Sequence, residues 1–216
     1  MTEREILESL CEACRRLHDR GLLAAGDGNL SARLPDGRIA MTPTGVPKAW
    51  MSPRDFAFLG ADGSLLKGRP SSERLMHLAI YGACPQARVV IHAHPPMAVA
   101  WTLARPELNE MPSEALPELI LGAGAIPIAP YARPGTAELA ESLLPFLPAH
   151  RLLVLARHGA VAWGEDAQEA SGGLERLEHA AQILKAAVEL GGIVPLPGEE
   201  LAALRGLRQE LGPRLR

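Results

Sequence analysis

The stretch Leu30-Ser31-Ala32-Arg33-Leu34-Pro35-Asp36-Gly37-Arg38-Ile39-Ala40-Met41-Thr42 decides the fold class of this chain. Two strand-like runs, 30–34 and 38–42, flank Pro35, Asp36 and Gly37, which supply the preset φ, the side-chain acceptor and the positive φ that a tight turn needs. The pattern repeats downstream, where 56–59 and 64–67 flank Asp62-Gly63. Tight hairpins force antiparallel pairing, whereas strands separated by helices would by default predict a parallel, doubly wound sheet. The two hairpins therefore predict an α/β fold whose sheet is mixed or antiparallel, with helices on both faces.

Outward from the hairpins, apolar periodicity and Gly/Pro punctuation predict the remaining elements. A helix is expected over 3–20, ended by Gly21, and a second over 72–83 with Ser71 or Ser72 as its cap. The run 88–94 reads as a buried strand stopped by Pro95. Helices follow near 97–104, 136–147 and 166–190, with strands near 126–129, 151–156 and 160–163 and a short terminal helix. In the long helix Leu174, Leu177, Ala181, Leu184 and Val188 form a core stripe. No internal period and no low-complexity linker divides the chain, so residues 1–216 read as a single domain.

Composition narrows the function classes. With 216 residues, 47% hydrophobic and 22% charged, the chain can bury a substantial core, and a formal charge of -3 offers no broad cationic surface to nucleic acid or an anionic bilayer. Its longest apolar run, 119–132, is broken by glycines and prolines, and the acidic start lacks the basic end of a secretory signal. A cytoplasmic protein is expected. Cys11, Cys14 and Cys84 are too few for a disulfide framework, and the CxxC lies on an apolar helical stripe without a second pair, so core packing is expected for it.

The chemistry concentrates in Val89-Val90-Ile91-His92-Ala93-His94-Pro95. Residues two apart on a strand share a face, so His92 and His94 can both reach one cation, and imidazole suits zinc. His158, before Gly159 at a turn, and Glu73, at the start of a helix, are further candidate ligands, although spacing alone leaves their convergence open. His77 and His179 read as packed helix residues. Three segments rich in small residues, Gly26-Asp27-Gly28-Asn29-Leu30-Ser31, Thr42-Pro43-Thr44-Gly45 and Pro70-Ser71-Ser72-Glu73, expose the backbone amides and hydroxyls that suit a phosphate, or are ordinary turns and caps.

In this order, Gly28-Asn29-Leu30-Ser31-Ala32-Arg33, Thr42-Pro43-Thr44-Gly45, Ser71-Ser72-Glu73, His92-Ala93-His94 and His158-Gly159 resemble the class II aldolase and adducin-head family, and most nearly its L-fuculose-1-phosphate aldolases. The resemblance implies a three-layer α/β/α fold with a largely antiparallel central sheet, assembled as a homotetramer with active sites at subunit boundaries. It implies one zinc ion per subunit held by His92, His94, His158 and Glu73, with Glu73 also the acid-base group. Asn29, Thr44, Gly45, Ser71 and Ser72 would hold the substrate phosphate. The implied reaction is cleavage of a phosphorylated ketose to dihydroxyacetone phosphate and an aldehyde through a metal-stabilised enediolate. The chain's three lysines, Lys48, Lys67 and Lys185, lie in no apolar run that would depress a pKa, which disfavours the Schiff-base alternative.

One departure separates this sequence from the fuculose-phosphate pattern. Its aldolases carry a tyrosine where this chain reads Leu116-Pro117-Glu118-Leu119-Ile120-Leu121-Gly122, and another near the C-terminus that is also missing; only Tyr81 and Tyr131 exist. Tyr131, in a loop after a strand, is the candidate acid, with Glu118 its rival. The missing tyrosines, with Tyr131-Ala132-Arg133-Pro134-Gly135 and 164–170, also resemble the branch that decarboxylates 3-oxo sugar-acid phosphates, so decarboxylation, dehydration or epimerisation is the alternative outcome. A non-catalytic adducin-like interaction domain is a third reading, against which the four retained ligands argue.

Overall fold

The computed structural model describes residues 1–215. Helix α1 (Glu3–Asp19) opens on a reciprocal cap in which Thr2 accepts from the Glu5 N–H and Glu5 bonds back to Thr2, and it ends before Gly21 at φ +71°. The hairpins follow as expected, β1 (Asn29–Arg33) with β2 (Ile39–Met41), and β3 (Ala57–Leu59) with β4 (Leu65–Lys67). Then come α2 (Arg74–Ala83), β5 (Val89–Ala93), α3 (Pro96–Ala104), α4 (Pro117–Gly122), β6 (Ile128–Ala129), α5 (Ala137–Leu143), β7 (Leu152–Leu155), β8 (Gly159–Gly164), α6 (Ala167–Glu189) and α7 (Gly198–Leu211).

The eight strands form one sheet in the order β4-β3-β2-β1-β5-β8-β7-β6, antiparallel throughout except for the β6–β7 pair. Alternate strand residues feed two cores. Leu30, Ala32, Ile91, Val154 and Ala162 join Leu10, Leu17, Leu174 and Leu177 of α1 and α6 on one face. Val90, Leu153, Val161 and Trp163 join Met76, Ile80, Leu139 and Leu143 of α2 and α5 on the other. The three-layer arrangement with a largely antiparallel sheet is thus present, and the period of two within each strand is what divides its side chains between the layers.

Three expectations need correction. Helix α2 begins at Arg74 with Glu73 at its N-cap, so neither Ser71 nor Ser72 caps it; the Ser71 hydroxyl instead accepts from the Glu73 N–H at 3.2 Å. The helix over 136–147 stops at Leu143 and tightens into a 3-10 turn containing Pro145, which has no N–H to continue the ladder. The proline-rich stretch before β6 holds the short helix α4, entered through Pro117 at its first position. Cys11 and Cys14 are free and buried, with burial pushing their thiols up to about 11 and about 12, which leaves them inert core residues. Among the described residues no helix is long and apolar enough to cross a membrane.

Candidate metal centre and phosphate cleft

Register brings the first elements of the site together. Asn29 on β1 lies opposite His92 on β5, and Ala93 lies opposite Ala160 near the start of β8, so the turn carrying His158 reaches the end of β5. That turn is tight. Arg157 takes φ +61°, a left-handed conformation uncommon for a side chain with a Cβ, and its N–H donates to the Thr102 hydroxyl at 2.8 Å. Gly159 follows because nothing larger fits: a Cβ there would stand 2.5 Å from the Ala93 carbonyl and within 2.9 Å of both the His92 and His94 rings.

His92, His94 and His158 form a group of nitrogens within 4.8 Å of one another, an arrangement that could hold a metal ion. Glu73 completes it from the start of α2, with Oε2 3.3 Å from His92 Nε2 and Oε1 3.3 Å from His158 Nε2. Donor atoms bound to a tetrahedral ion at about 2.0–2.1 Å stand roughly 3.3 Å apart, which these two separations match. Two further observations fit a cation. Glu73 Oε1 is buried without a hydrogen-bond partner, a costly state for a carboxylate oxygen unless something positive meets it. His92 Nδ1 donates to the Ala160 carbonyl at 3.0 Å, which leaves Nε2 as the lone-pair nitrogen facing the group.

The electrostatics agree with that chemistry. Burial holds His92 well below the usual histidine range and also lowers His94 and His158, while each imidazolium would repel its neighbours in the trio. Neutral imidazole is the ligand form. Burial raises the Glu73 carboxyl, opposed by the hydrogen bond from Asn29 and by His94.

Beside this group opens a cleft of about 470 Å³, lined by Asn29, Thr44, Gly45, Ser71, Ser72, Glu73, His94 and His158. Its walls are stitched together, since the Ser71 N–H donates to the Thr42 carbonyl and the Thr44 N–H to the Arg69 carbonyl. All five residues expected to hold phosphate therefore border one space. Asn29 differs in detail from the expectation, because its amide is engaged inside the protein, by Glu73 and His77.

Other candidate residues lie apart from the cleft or sit in it unexpectedly. Lys48 also lines the cleft and is only 1% exposed, so burial lowers its pKa after all. Its Nζ donates to the Gly26 and Val46 carbonyls at 2.9 and 2.7 Å, tying two loops of the cleft together as a donor. Tyr131 is 60% exposed and lines a separate hollow with Arg133, Thr136 and Glu138, while Pro134 of the same loop borders the cleft. Glu118 is exposed on α4 and is not among the cleft residues. The sequence reading missed Lys48 and the polar partners of His77, although the four-residue spacing of Glu73, His77 and Tyr81 was a visible signal.

The comparisons agree with this architecture. The family described as Class II Aldolase and Adducin N-terminal domain matches residues 8–184. The chain is 33% identical to a 3-oxo-tetronate 4-phosphate decarboxylase of Escherichia coli O6:H1 (strain CFT073), over 84% of this chain and 87% of that one. It is 31% identical to the L-fuculose phosphate aldolase of the same organism, over 94% of each. The solved structure of YgbL, a putative aldolase/epimerase/decarboxylase from Escherichia coli, superposes with a TM-score of 0.88 at 31% identity, covering 94% of this chain and 99% of that one. Fold, histidine group and these likenesses together place the chain in the class II aldolase and adducin N-terminal domain family.

Proposed function

We propose that this protein is a zinc-dependent carbon–carbon lyase that decarboxylates a 3-oxo sugar-acid phosphate of the 3-oxo-tetronate 4-phosphate kind, releasing carbon dioxide and dihydroxyacetone phosphate. The observation that carries the reading is the fate of the two tyrosines. Tyr81 is buried beside Ser31, and Tyr131 lies outside the cleft. Aldol cleavage must also move a proton at the oxygen that becomes the aldehyde, and the fuculose-phosphate pattern assigns that task to a tyrosine. Loss of carbon dioxide needs no such group. The bond between carboxylate and adjacent carbon breaks, its electron pair delocalises into the neighbouring ketone, and one proton is then added at that carbon.

Zinc on His92, His94, His158 and Glu73 would act as a Lewis acid on the ketone, stabilising the negative charge that develops there. Glu73, whose carboxyl burial raises, would carry the proton to carbon in its protonated form, released from the metal. Thr44, Gly45, Ser71, Ser72 and the outer face of Asn29 hold the phosphate, with Lys48 bracing the loops that carry them. The homotetramer and the cytoplasmic setting implied by the family belong to the same proposal.

Aldol cleavage of an L-fuculose-1-phosphate-like ketose is the second reading, favoured by the paired Ser71-Ser72 and by the likeness to the fuculose phosphate aldolase. Both reactions leave the same three-carbon ketone phosphate. They are separated by assaying dihydroxyacetone phosphate from each substrate, with and without zinc, in wild type, Glu73→Gln and Tyr131→Phe. The proposal expects zinc- and Glu73-dependent release from the 3-oxo acid, little from the ketose, and unchanged turnover in Tyr131→Phe. Efficient release from the ketose that collapses in Tyr131→Phe would establish the aldolase instead.

A further inference from the structure

An unbroken line of hydrogen bonds runs between α2 and β1 and ends on Glu73. Asn29 Nδ2 donates to Glu73 Oε2 at 2.8 Å, and Asn29 Oδ1 meets His77 Nε2. On the other side of that ring, Nδ1 lies 2.7 Å from Ser31 Oγ, which lies 2.9 Å from the Tyr81 hydroxyl. All five residues are buried. Two repeats make this possible: Glu73, His77 and Tyr81 recur every four residues, about 6 Å along a helix, while Asn29 and Ser31 recur every two, about 6.6 Å along a strand. The two combs interleave.

One end sets the direction of every proton. A carboxylate only accepts, so Asn29 turns its NH₂ toward Glu73 and its carbonyl toward His77. His77 Nε2 must then carry the hydrogen, and because burial holds this ring neutral, down to a pKa of about 3, Nδ1 is left as an acceptor. The Ser31 hydroxyl donates to Nδ1, which leaves its lone pair to the Tyr81 hydroxyl at 2.9 Å, a shorter contact than the 3.5 Å from that hydroxyl to the Arg88 carbonyl. A flipped Asn29 amide would set oxygen against carboxylate at one end and N–H against N–H at the other.

We propose that His77, backed by Ser31 and Tyr81, is a positioning residue that locks the Asn29 amide so that its N–H holds one oxygen of Glu73 while the other faces His158. The role rests on the assignment of Glu73 as proton carrier made above. It differs from simple packing, since an apolar side chain at 77 would fill the space and leave Asn29 free to turn.

The test uses zinc-loaded protein with ¹⁵N-labelled histidine and asparagine. His77 is expected to carry its proton on Nε2, and the Asn29 side-chain amide to exchange slowly. His77→Leu should abolish that protection and lower kcat about 10- to 100-fold, the usual cost of losing a partner that orients a ligand, with KM moving less than about twofold. His77→Gln, which keeps an amide N–H and a carbonyl for the same two partners, should recover most of the rate. If His77→Leu does not fold, Ser31→Ala removes the hydroxyl that holds the Nδ1 side of the ring and should mobilise the Asn29 amide. A His77 proton on Nδ1, or a folded, zinc-loaded His77→Leu that turns over like wild type, overturns the proposal. Should wild type show no lyase activity, the functional reading fails on its own, and the tautomer and amide protection still decide this one.

Discussion

At the scale of single residues, the site depends on close approach and on neutral rings. Gly159 has no room for a methyl group between the Ala93 carbonyl and two histidine rings. Gly159→Ala should displace the His158 turn, weaken metal binding by the histidine trio and cost about 1–3 kcal/mol, as overpacking does; metal analysis and urea unfolding check it. His77 makes a prediction in pH. Its folded pKa of about 3 lies below the ordinary 6.5, so only the unfolded chain takes up this proton between those values. Stability therefore falls as pH drops through that window, approaching about 1.4 kcal/mol per unit, and is unaffected by this group above it. In metal-free protein, His77→Gln should show a shallower acid slope of the urea midpoint than wild type; equal slopes would mean that His77 already titrates normally in the fold.

At the scale of elements, the histidine trio is held by what its strands lead into. Strand β5 ends at Ala93, and His94 and Pro95 lead into α3, whose first N–H groups are capped from another helix: the buried Glu178 of α6 accepts from the Met97 N–H, at 2.9 Å to Oε2, and from the Ala98 N–H at 3.2 Å. An acceptor at a helix N-terminus satisfies orphan donors and complements the dipole. Glu178→Ala should cost roughly 1–3 kcal/mol through those unpaired N–H groups and weaken zinc retention by freeing His94, whereas Glu178→Gln keeps one acceptor and should lose less. Chelator titration beside urea unfolding separates the two effects. None of this capping is visible locally, because Met97 and Glu178 are 81 residues apart.

At the scale of the whole molecule, the end of the chain is tied back to α6. Glu169 is buried and accepts from Arg151 and from the Leu215 N–H through Oε1, and from Arg214 and the Glu165 N–H through Oε2. Leu215 fills the space beside Gly173, where a Cβ would come within 2.5 Å of it. Removing one partner of a buried ion pair strands the other, so Glu169→Ala should destabilise by about 3 kcal/mol and release the tail, read as faster exchange of the Leu215 amide. A protected Leu215 amide in that variant would show that apolar packing alone docks the tail.

The sequence by itself determined the hairpins, the alternation that builds two cores, the paired histidines of one strand and the family resemblance, because each rests on a local period or on a motif quoted in order. Leu30–Thr42 predicts β1 and β2 from turn chemistry alone, and the spacing of His92 and His94 predicts their approach, although β5 ends at Ala93 and His94 stands one residue beyond it. The tertiary structure alone decided which distant residues meet. Sheet order sets β1 beside β5 and β5 beside β8, so Asn29, His92 and His158 converge, while Tyr131 is left exposed beside a separate hollow and the buried Lys48 reaches the Gly26 carbonyl, 22 residues away. The physical reason is that backbone periodicity propagates over a few residues, whereas long-range proximity is set by the packing of whole elements against one another.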